Sequence, residues 1–231
     1  MSKPYRHIFF DLDHTLWDFE TNSNETLADL YEIHDMYRFG FDLKQFLKHY
    51  HVENAALWDD YNHGRIDQKE LRSTRFTRVL TSLGLDAGDV PDKIDEQYLE
   101  ICPKKPNVMP HTFMILDYLK DKYDLHIITN GFDDVQEIKM TTSGLRDYFE
   151  VVVTSELAGH KKPHRGIFDF ALEHTQSDLT MSLMIGDNLE TDIAGARNVE
   201  MDQVFFNPHK VEHQEDPTFE IHGLDELTKI L

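Results

Sequence analysis

The sequence predicts an α/β fold in which an all-helical block interrupts a doubly wound, mostly parallel sheet. Short apolar runs, several rich in β-branched residues, recur with helix-like segments between most of them, as is typical of a parallel sheet covered on both faces. Residues 20–101 differ, because they show apolar residues at helical spacing and no convincing strand. With 231 residues, 40% of them apolar, the chain can bury a full core and carry a sizeable insertion.

Five apolar runs are predicted to be strands. The first covers residues 5–10 and is followed at once by carboxylates. The other four are residues 125–129 (LHIIT), 151–154 (VVVT), 182–185 (SLMI) and 203–206 (QVFF).

The helical block between the first two strands shows apolar or aromatic residues at i, i+3, i+4 and i+7. Asp67 with Glu70 resembles a capping box, which predicts a helix start there, and Gly84 predicts a helix end. Residues 102–110 (CPKKPNVMP) contain three prolines, and we expect a stiff, extended hinge. The predicted domains are therefore residues 1–19 with 103–231, and residues 20–102. The side chains at helical spacing in the second domain are Leu27, Leu30, Tyr31 and His34, then Leu43, Phe46, Leu47 and Tyr50.

The amino-acid composition limits the classes of molecule that the chain can bind. A formal charge of −20 argues against a nucleic-acid polymer, which needs clustered Lys and Arg, and means that an anionic substrate needs a local cation. A single cysteine excludes an internal disulfide, and neither a membrane-length apolar stretch nor a signal-peptide core is present. We expect a cytoplasmic protein without a membrane partner, either a monomer or a homodimer. The 14 histidines are scattered without an HExxH pattern, so a histidine-based metal site is not predicted.

Two carboxylates stand directly after the first predicted strand, in the sequence HIFFDLDHTLW. Asp11 and Asp13 are two residues apart, so they project to the same side of an extended segment, at the strand's carboxyl end where open α/β sheets bind ligands. An ordinary structural role, as a helix cap or in a surface turn, would easily account for one of these aspartates. It accounts poorly for both. Their mutual repulsion is relieved if a divalent cation binds or if one of them is protonated.

Three later stretches supply complementary groups at other predicted strand ends. Thr129, Asn130 and Gly131 offer a hydroxyl and backbone amides that suit a phosphate group. Lys161 and Lys162 offer cations, and Asp187 with Asp192 offers the hard oxygen ligands that Mg²⁺ prefers. Each stretch alone is typical of an ordinary turn or surface loop. Together with the Asp11–Asp13 segment, however, they make four stretches that each follow a predicted strand, and this combination indicates one site.

These four motifs resemble those of the haloacid dehalogenase superfamily, and the resemblance covers the whole chain. They are DxDxT (Asp11, Asp13, Thr15), a threonine after an apolar strand (Thr129), Lys162-Pro163, and GDxxxxD (Gly186, Asp187, Asp192). The resemblance implies a Rossmann-like core, and the helical block is similar to the C1 cap of that superfamily.

The resemblance also implies roles in Mg²⁺-dependent phosphoryl transfer. Asp11 corresponds to the nucleophile and first metal ligand, and Asp13 to the general acid/base whose backbone carbonyl binds Mg²⁺. Thr129 and Lys162 correspond to groups that hold the phosphoryl oxygens, beside Asn130 and Gly131. Lys162 is chosen over Lys161 because the motif places lysine directly before proline. Asp187 corresponds to the second carboxylate ligand, and Asp192 either binds the ion or orients a metal-bound water.

Substrate choice in capped members is made largely by the cap. Residues 57–66 (LWDDYNHGRI), 129–132 and 142–150 resemble bacterial pyrimidine 5′-nucleotidases, which implies dUMP, UMP or dTMP as substrates. Trp58 and Tyr61 could stack on a base and Asn62 could bind its edge, or the two rings could simply pack within the cap. Position 14, a histidine, and the rest of the cap match those enzymes less well.

Other functions are compatible with the same sequence. A phosphatase of phosphoglycolate or a sugar phosphate is the nearest alternative. A phospho-receiver domain should be half as long with its acceptor aspartate on the third strand, and an inactive regulatory homologue should lack part of the motif set.

Overall fold

The computed structural model describes residues 5–231, and its centre is one sheet of six parallel strands. The spatial order is β3-β2-β1-β4-β5-β6. The strands are β1 (His7–Phe10), β2 (Asp124–Thr129), β3 (Val151–Thr154), β4 (Ser182–Gly186), β5 (Asp202–Phe206) and β6 (Phe219–Ile221). The predicted α/β class with a doubly wound parallel sheet is thus confirmed.

The observed strands agree with the five predicted runs within two residues at each end. The first prediction, residues 5–10, begins two residues before β1. The sixth strand, Phe219–Ile221, was missed, because three residues at a sheet edge, only one of them fully buried, give no apolar run.

Strand order reverses at β1, which places the ligand-binding edge of the sheet. The chain adds β2 and then β3 on one side of β1, and it crosses to the other side to add β4, β5 and β6. Phe10 of β1 lies beside Ile127 of β2 and beside Ile185 of β4, so the three strands end within two residues of one another. The carboxyl ends of strands at such a reversal form the usual ligand crevice of open α/β sheets.

In the described part of the sheet's compact unit, residues 5–19 and Pro106–Leu231, five helices accompany the sheet. Phe9, Ile128 and Met184 from three strands pack with Ile167 and Phe168, and all five side chains are fully buried. Burial on this scale contributes roughly 1.5–3 kcal/mol for each large apolar side chain. The helices are α5 (Thr112–Leu119), α6 (Asp133–Ser143), α7 (Ser155–Ala158), α8 (Arg165–Thr175) and α9 (Ala194–Asn198), the last following a π-helical turn over Leu189–Ile193.

The second compact unit, Glu20–Lys105, is helical. Its helices are α1 (Phe19–Ile33), α2 (Leu43–Asn62), α3 (Gln68–Ser82) and α4 (Ile94–Ile101). Tyr50, Phe76 and Tyr98, one from each of α2, α3 and α4, pack with ring centroids 5.5–5.8 Å apart. This aromatic cluster gives the unit a core of its own.

Two local expectations in this region need correction. The side chain of Asp67 does accept a hydrogen bond from the Glu70 amide (2.8 Å), but the reciprocal bond of a capping box is found at Asp42 and Gln45. The hinge is not extended throughout, because Cys102–Lys104 forms a 3₁₀ turn. Of the helices in residues 5–231, none combines the length and apolar character needed to span a lipid bilayer.

A buried histidine pair lies near the amino ends of β1 and β2. His126 is 1% exposed, its Nε2 lies 3.4 Å from Nδ1 of His7, and its ring contacts Phe9 at 5.0 Å between centroids. Burial, followed by the charge of His7, lowers the pKa of His126 to about 4, although Asp124 acts in the opposite direction. Burial also lowers the pKa of His7, with Asp124, Arg6 and Glu150 as its charged neighbours. Both rings are therefore neutral in the folded protein at pH 7.

We expect this pair to make the fold sensitive to acid. The folded-state pKa of His126 lies below its ordinary value of 6.5, so its contribution to stability is present above pH 6.5 and is lost as pH falls toward 4. Chemical denaturation of His126→Gln across this range should show a weaker loss of stability than wild type. His209→Gln, which changes an exposed histidine, is the matched control. An unchanged pH dependence in His126→Gln would contradict this account.

Candidate active site

The predicted catalytic, phosphate-binding and metal-binding residues lie at the carboxyl edge of the sheet, on both sides of the strand-order reversal. Asp11 directly follows β1, and its amide donates to the carbonyl of Ile185 on β4 (2.8 Å). Thr129 is the last residue of β2, and Asp187 directly follows β4. Three neighbouring strand ends therefore bring these side chains together.

Lys162 lies at the centre of this edge and is 1% exposed. Its ammonium donates to Asp11 Oδ1 (2.5 Å) and to the Ile128 carbonyl (2.7 Å), and lies 2.7 Å from Asp192 Oδ1. These three acceptors match the three N–H donors of a lysine. The carboxylates of Asp11 and Asp192 raise the pKa of Lys162 against the opposing effect of burial, so this cation stays charged.

Asn130 fixes the loop that carries Lys162. Its side-chain Nδ2 donates to the Lys162 carbonyl (3.0 Å), and its Oδ1 accepts from the Lys162 amide (2.7 Å). The structure thus gives Asn130 a supporting contact in addition to its predicted place in the phosphate cradle. Lys161, the adjacent lysine, is only half-buried.

Three carboxylates converge around this single ammonium. One oxygen from each of Asp11, Asp187 and Asp192 lies within 4.8 Å of the others. Burial raises the pKa of Asp11 to about 7; Lys162 lowers it and Asp192 raises it. Burial, then the charges of Asp11 and Asp192, raise the pKa of Asp187 well above its ordinary value, although Thr15 donates to it (3.1 Å). Among residues 5–231, three carboxylates face the one ammonium of Lys162 at this point.

A divalent cation fits this donor set. Burial is the largest cause of the raised pKa values of Asp11 and Asp187, and the charge of Asp192 raises both further. Hard carboxylate oxygens such as these are the ligands that Mg²⁺ prefers. Asp11 and Asp187 are the residues best placed to hold the ion. Asp13 and Asp192 remain predicted members of the metal site.

Asp192 is occupied by protein donors on both oxygens. Oδ1 faces Lys162, and Oδ2 accepts from the amide of Asn188 (3.1 Å). A Cβ atom at Gly186 would lie 2.2 Å from Asp192 Oδ2, so this position requires glycine for close packing. These contacts favour a role for Asp192 in orienting Lys162.

Asp13 has partners of its own, which lie on α6. Lys139 Nζ donates to Asp13 Oδ1 (2.6 Å), and Gln136 Nε2 donates to Asp13 Oδ2 (2.9 Å). Burial acts to raise the pKa of Asp13, but the charge and hydrogen bond of Lys139, together with Gln136, outweigh it and lower the pKa. The two aspartates of the DxDxT motif therefore have different electrostatic surroundings.

The sequence did not predict Gln136 and Lys139 as site residues. Both are buried on α6 together with Ser143, so polar residues repeat at i, i+3 and i+7 on the inward face of this helix. Polar residues on the buried face of a helix are unusual unless they are paired. That spacing, directly after the Thr129 strand, is the signal that could have found them.

The predicted specificity residues lie at the end of α2 in the helical unit. Tyr61 is buried, whereas Trp58 and Asn62 are half-buried. The Trp58 and Tyr61 rings meet edge to face with centroids 5.6 Å apart. The two rings therefore contact each other, as the packing alternative requires, and a role in base recognition stays a prediction.

Comparison with known proteins supports the resemblance that the motifs indicate. The family model described as haloacid dehalogenase-like hydrolase matches residues 8–206. The chain is 33% identical to pyrimidine 5′-nucleotidase YjjG from Escherichia coli strain K12, over 97% of this chain and 96% of that protein. It is 30% identical to pyrimidine 5′-nucleotidase PynA from Streptococcus pneumoniae, over 98% and 95% of the two chains.

A solved structure has a similar fold. The HAD-hydrolase YfnB from Bacillus subtilis, in a crystal form bound to magnesium, superposes with a TM-score of 0.86. The two chains are 28% identical, and the match covers 99% of each.

We expect Mg²⁺ to stabilise the folded protein, because a ligand that binds only the native state raises the melting temperature with its concentration. Asp187→Asn should weaken this Mg²⁺-dependent rise, since it removes one carboxylate charge from the cluster. Thermal melts over a series of MgCl₂ concentrations measure the effect, with Asp121→Asn as the control at an exposed aspartate. Equal Mg²⁺ responses in wild type and Asp187→Asn would remove Asp187 from the metal site.

Proposed function

Because the chain belongs to the haloacid dehalogenase-like hydrolase family, we propose that it hydrolyses pyrimidine nucleoside 5′-monophosphates through an aspartyl-phosphate on Asp11, with Mg²⁺ as cofactor. The broader activity, hydrolysis of phosphoric monoesters, is supported by the chain's membership of this family and by the named activities of its relatives. The observation that carries the proposal is the Asp11 carboxylate held by buried Lys162, with a second carboxylate two residues further on.

In the first step, a carboxylate oxygen of Asp11 forms a bond to phosphorus and the bond from phosphorus to the leaving oxygen breaks. For this step Asp13 must carry a proton, which it gives to that oxygen, so the nucleoside departs as an alcohol. In the second step Asp13 takes a proton from water, and the water oxygen displaces Asp11 from phosphorus. Inorganic phosphate leaves and both aspartates return to their starting states.

Repulsion between Asp11 and an anionic phosphoryl group is the main obstacle to this attack. Lys162 offsets it with a buried positive charge, and bound Mg²⁺ supplies further charge stabilisation to the phosphoryl oxygens. Thr129 is proposed to hold a phosphoryl oxygen, with the backbone at Asn130 and Gly131 beside it. Preformed charges need no rearrangement during the reaction. Each one therefore stabilises the transition state by about 3–4 kcal/mol.

Asp13 favours phosphoryl transfer over the halide displacement for which the family is named. A chloride ion leaves without a proton, whereas an alkoxide leaving group needs one. A carboxyl group two residues after the nucleophile supplies that proton. Solved dehalogenases that share only 15–17% identity with this chain support the common fold alone.

The pyrimidine preference is supported by the two nucleotidase relatives and by the aromatic pair at the end of α2. Trp58, Tyr61 and Asn62 are the proposed base-recognition residues. A phosphatase of sugar phosphates or phosphoglycolate is the alternative that the same active-site chemistry would serve.

We expect the adjacent lysines to differ sharply in importance. Lys162→Ala should lower kcat/KM by about 10²–10³, the usual cost of removing one preformed stabiliser of developing charge. Lys161→Ala, its matched control, should cost little because its side chain is only half-buried. Hydrolysis of p-nitrophenyl phosphate measures both. Greater sensitivity at Lys161 would show that the lysine motif has been assigned one residue too late.

The proposal as a whole is tested by phosphate release from a panel of nucleotides and sugar phosphates. We expect dUMP, UMP and dTMP to give clearly higher kcat/KM than AMP or GMP, because a pocket sized for one ring excludes two. Trp58→Ala or Tyr61→Ala should narrow this gap while p-nitrophenyl phosphate hydrolysis is retained. The nucleotidase assignment would be wrong if a sugar phosphate gave a higher kcat/KM than every nucleotide, or if purine and pyrimidine nucleotides gave equal values.

A further inference from the structure

Two buried polar side chains on α6 have no place in the motifs of the family. Gln136 is 1% exposed and Lys139 is 6% exposed, and they lie one helical turn apart. Burying an ammonium and an amide is costly unless both are paired. Their partners are Asp13 and Thr129, so the cost is offset at the active site.

The Gln136 amide joins the two active-site side chains. Its Nε2 donates to Asp13 Oδ2 (2.9 Å) and to Thr129 Oγ1 (2.8 Å), which uses both of its hydrogens. Its Oε1 is buried and finds no hydrogen-bond donor within residues 5–231, so the two Nε2 bonds set the orientation of the amide. A Cβ atom at Gly131 would lie 2.1 Å from Nε2, so glycine leaves the room for this amide.

These bonds also determine what the Thr129 hydroxyl can do. Thr129 Oγ1 accepts from Gln136 and from the amide of Gly131 (3.1 Å), which occupies both of its lone pairs. Its own O–H must therefore donate, and no acceptor for it is found in the described part of the chain. A buried hydroxyl in this state is prepared to donate to a phosphoryl oxygen.

Lys139 fixes the other side of the Asp13 carboxyl. Its Nζ donates to Oδ1 (2.6 Å) and lies 4.6 Å from the centre of the Trp17 ring. Trp17 is fully buried and belongs to the segment that follows Asp13, to which it is bridged. With Lys139 on one oxygen and Gln136 on the other, the plane of the carboxyl group is set, and each oxygen keeps a lone pair for a proton.

We propose that Gln136 and Lys139 are positioning residues that align the Asp13 carboxyl with the leaving oxygen and direct the Thr129 hydroxyl toward the phosphoryl group. This rests on the phosphatase chemistry proposed above and is independent of which nucleotide is preferred. Misplacing a reacting group by about 1 Å can cost 10²-fold in rate, so loss of either residue should slow phosphorylation of Asp11.

The test compares aryl phosphates whose leaving phenols differ in basicity. A weakly basic phenolate such as p-nitrophenolate leaves with little help, whereas phenolate itself depends more on a proton from Asp13. Lys139→Met should therefore lower kcat/KM for phenyl phosphate about tenfold more than for p-nitrophenyl phosphate. Gln136→Met should lower both, because it also releases Thr129.

Three controls separate positioning from a structural effect. Lys139→Arg retains the charge and should recover part of the lost activity toward phenyl phosphate. Lys120→Met breaks a surface pair with Asp117 (2.6 Å) and should leave both substrates unaffected. In an Asp13→Asn background, Lys139→Met should cost nothing further, since the group it positions is no longer an acid.

Equal losses on the two aryl phosphates in Lys139→Met, or no loss on either, would overturn the inference. So would a full additional loss in the Asp13→Asn background. A wild-type enzyme that cleaves aryl phosphates without preferring nucleotides would end the nucleotidase proposal and leave this inference intact. A wild-type protein that cleaves no phosphate ester would end both.

Discussion

The active-site edge depends on one imbalance of charge. Asp11, Asp187 and Asp192 converge within 4.8 Å, and the buried ammonium of Lys162 directly contacts two of them. Such a cluster is stable only if a proton or a cation neutralises the remainder. In the proposed function, this surplus of negative charge would attract a divalent ion, and with it an anionic phosphate, in a protein whose net charge is −20.

The parallel sheet supplies the geometry that this cluster requires. Strands β2, β1 and β4 end together where the strand order reverses, so residues far apart in sequence meet without long side chains. Asn130 then fixes the backbone of Lys162, and Gly186 allows Asp192 to pack closely. Gln136 and Lys139 of α6 bind the Asp13 carboxyl, so the two aspartates of one motif have different partners.

Prediction from sequence succeeds where a feature is local. A polar residue after an apolar run marks a strand end, and this pattern alone predicts that Asp11, Thr129 and Asp187 lie at strand ends, as the structure has them. It fails where a feature depends on tertiary contacts. Lys139 resembles any helical lysine until Asp13 is placed beside it, and the short edge strand Phe219–Ile221 is defined by its neighbour β5. Base recognition by Trp58 remains a prediction for the same reason.

Chemical trapping of the intermediate tests the central claim, that Asp11 is the nucleophile. Asp13→Asn should accumulate phosphorylated enzyme, because the step that activates water is slowed more than attack on a substrate with a good leaving group. After rapid mixing with p-nitrophenyl phosphate and Mg²⁺, acid quenching and borohydride reduction, peptide mass spectrometry should find position 11 converted to homoserine. The same treatment of an Asp11→Asn protein should yield none. A modified residue elsewhere, or turnover with position 11 always unmodified, would contradict the account.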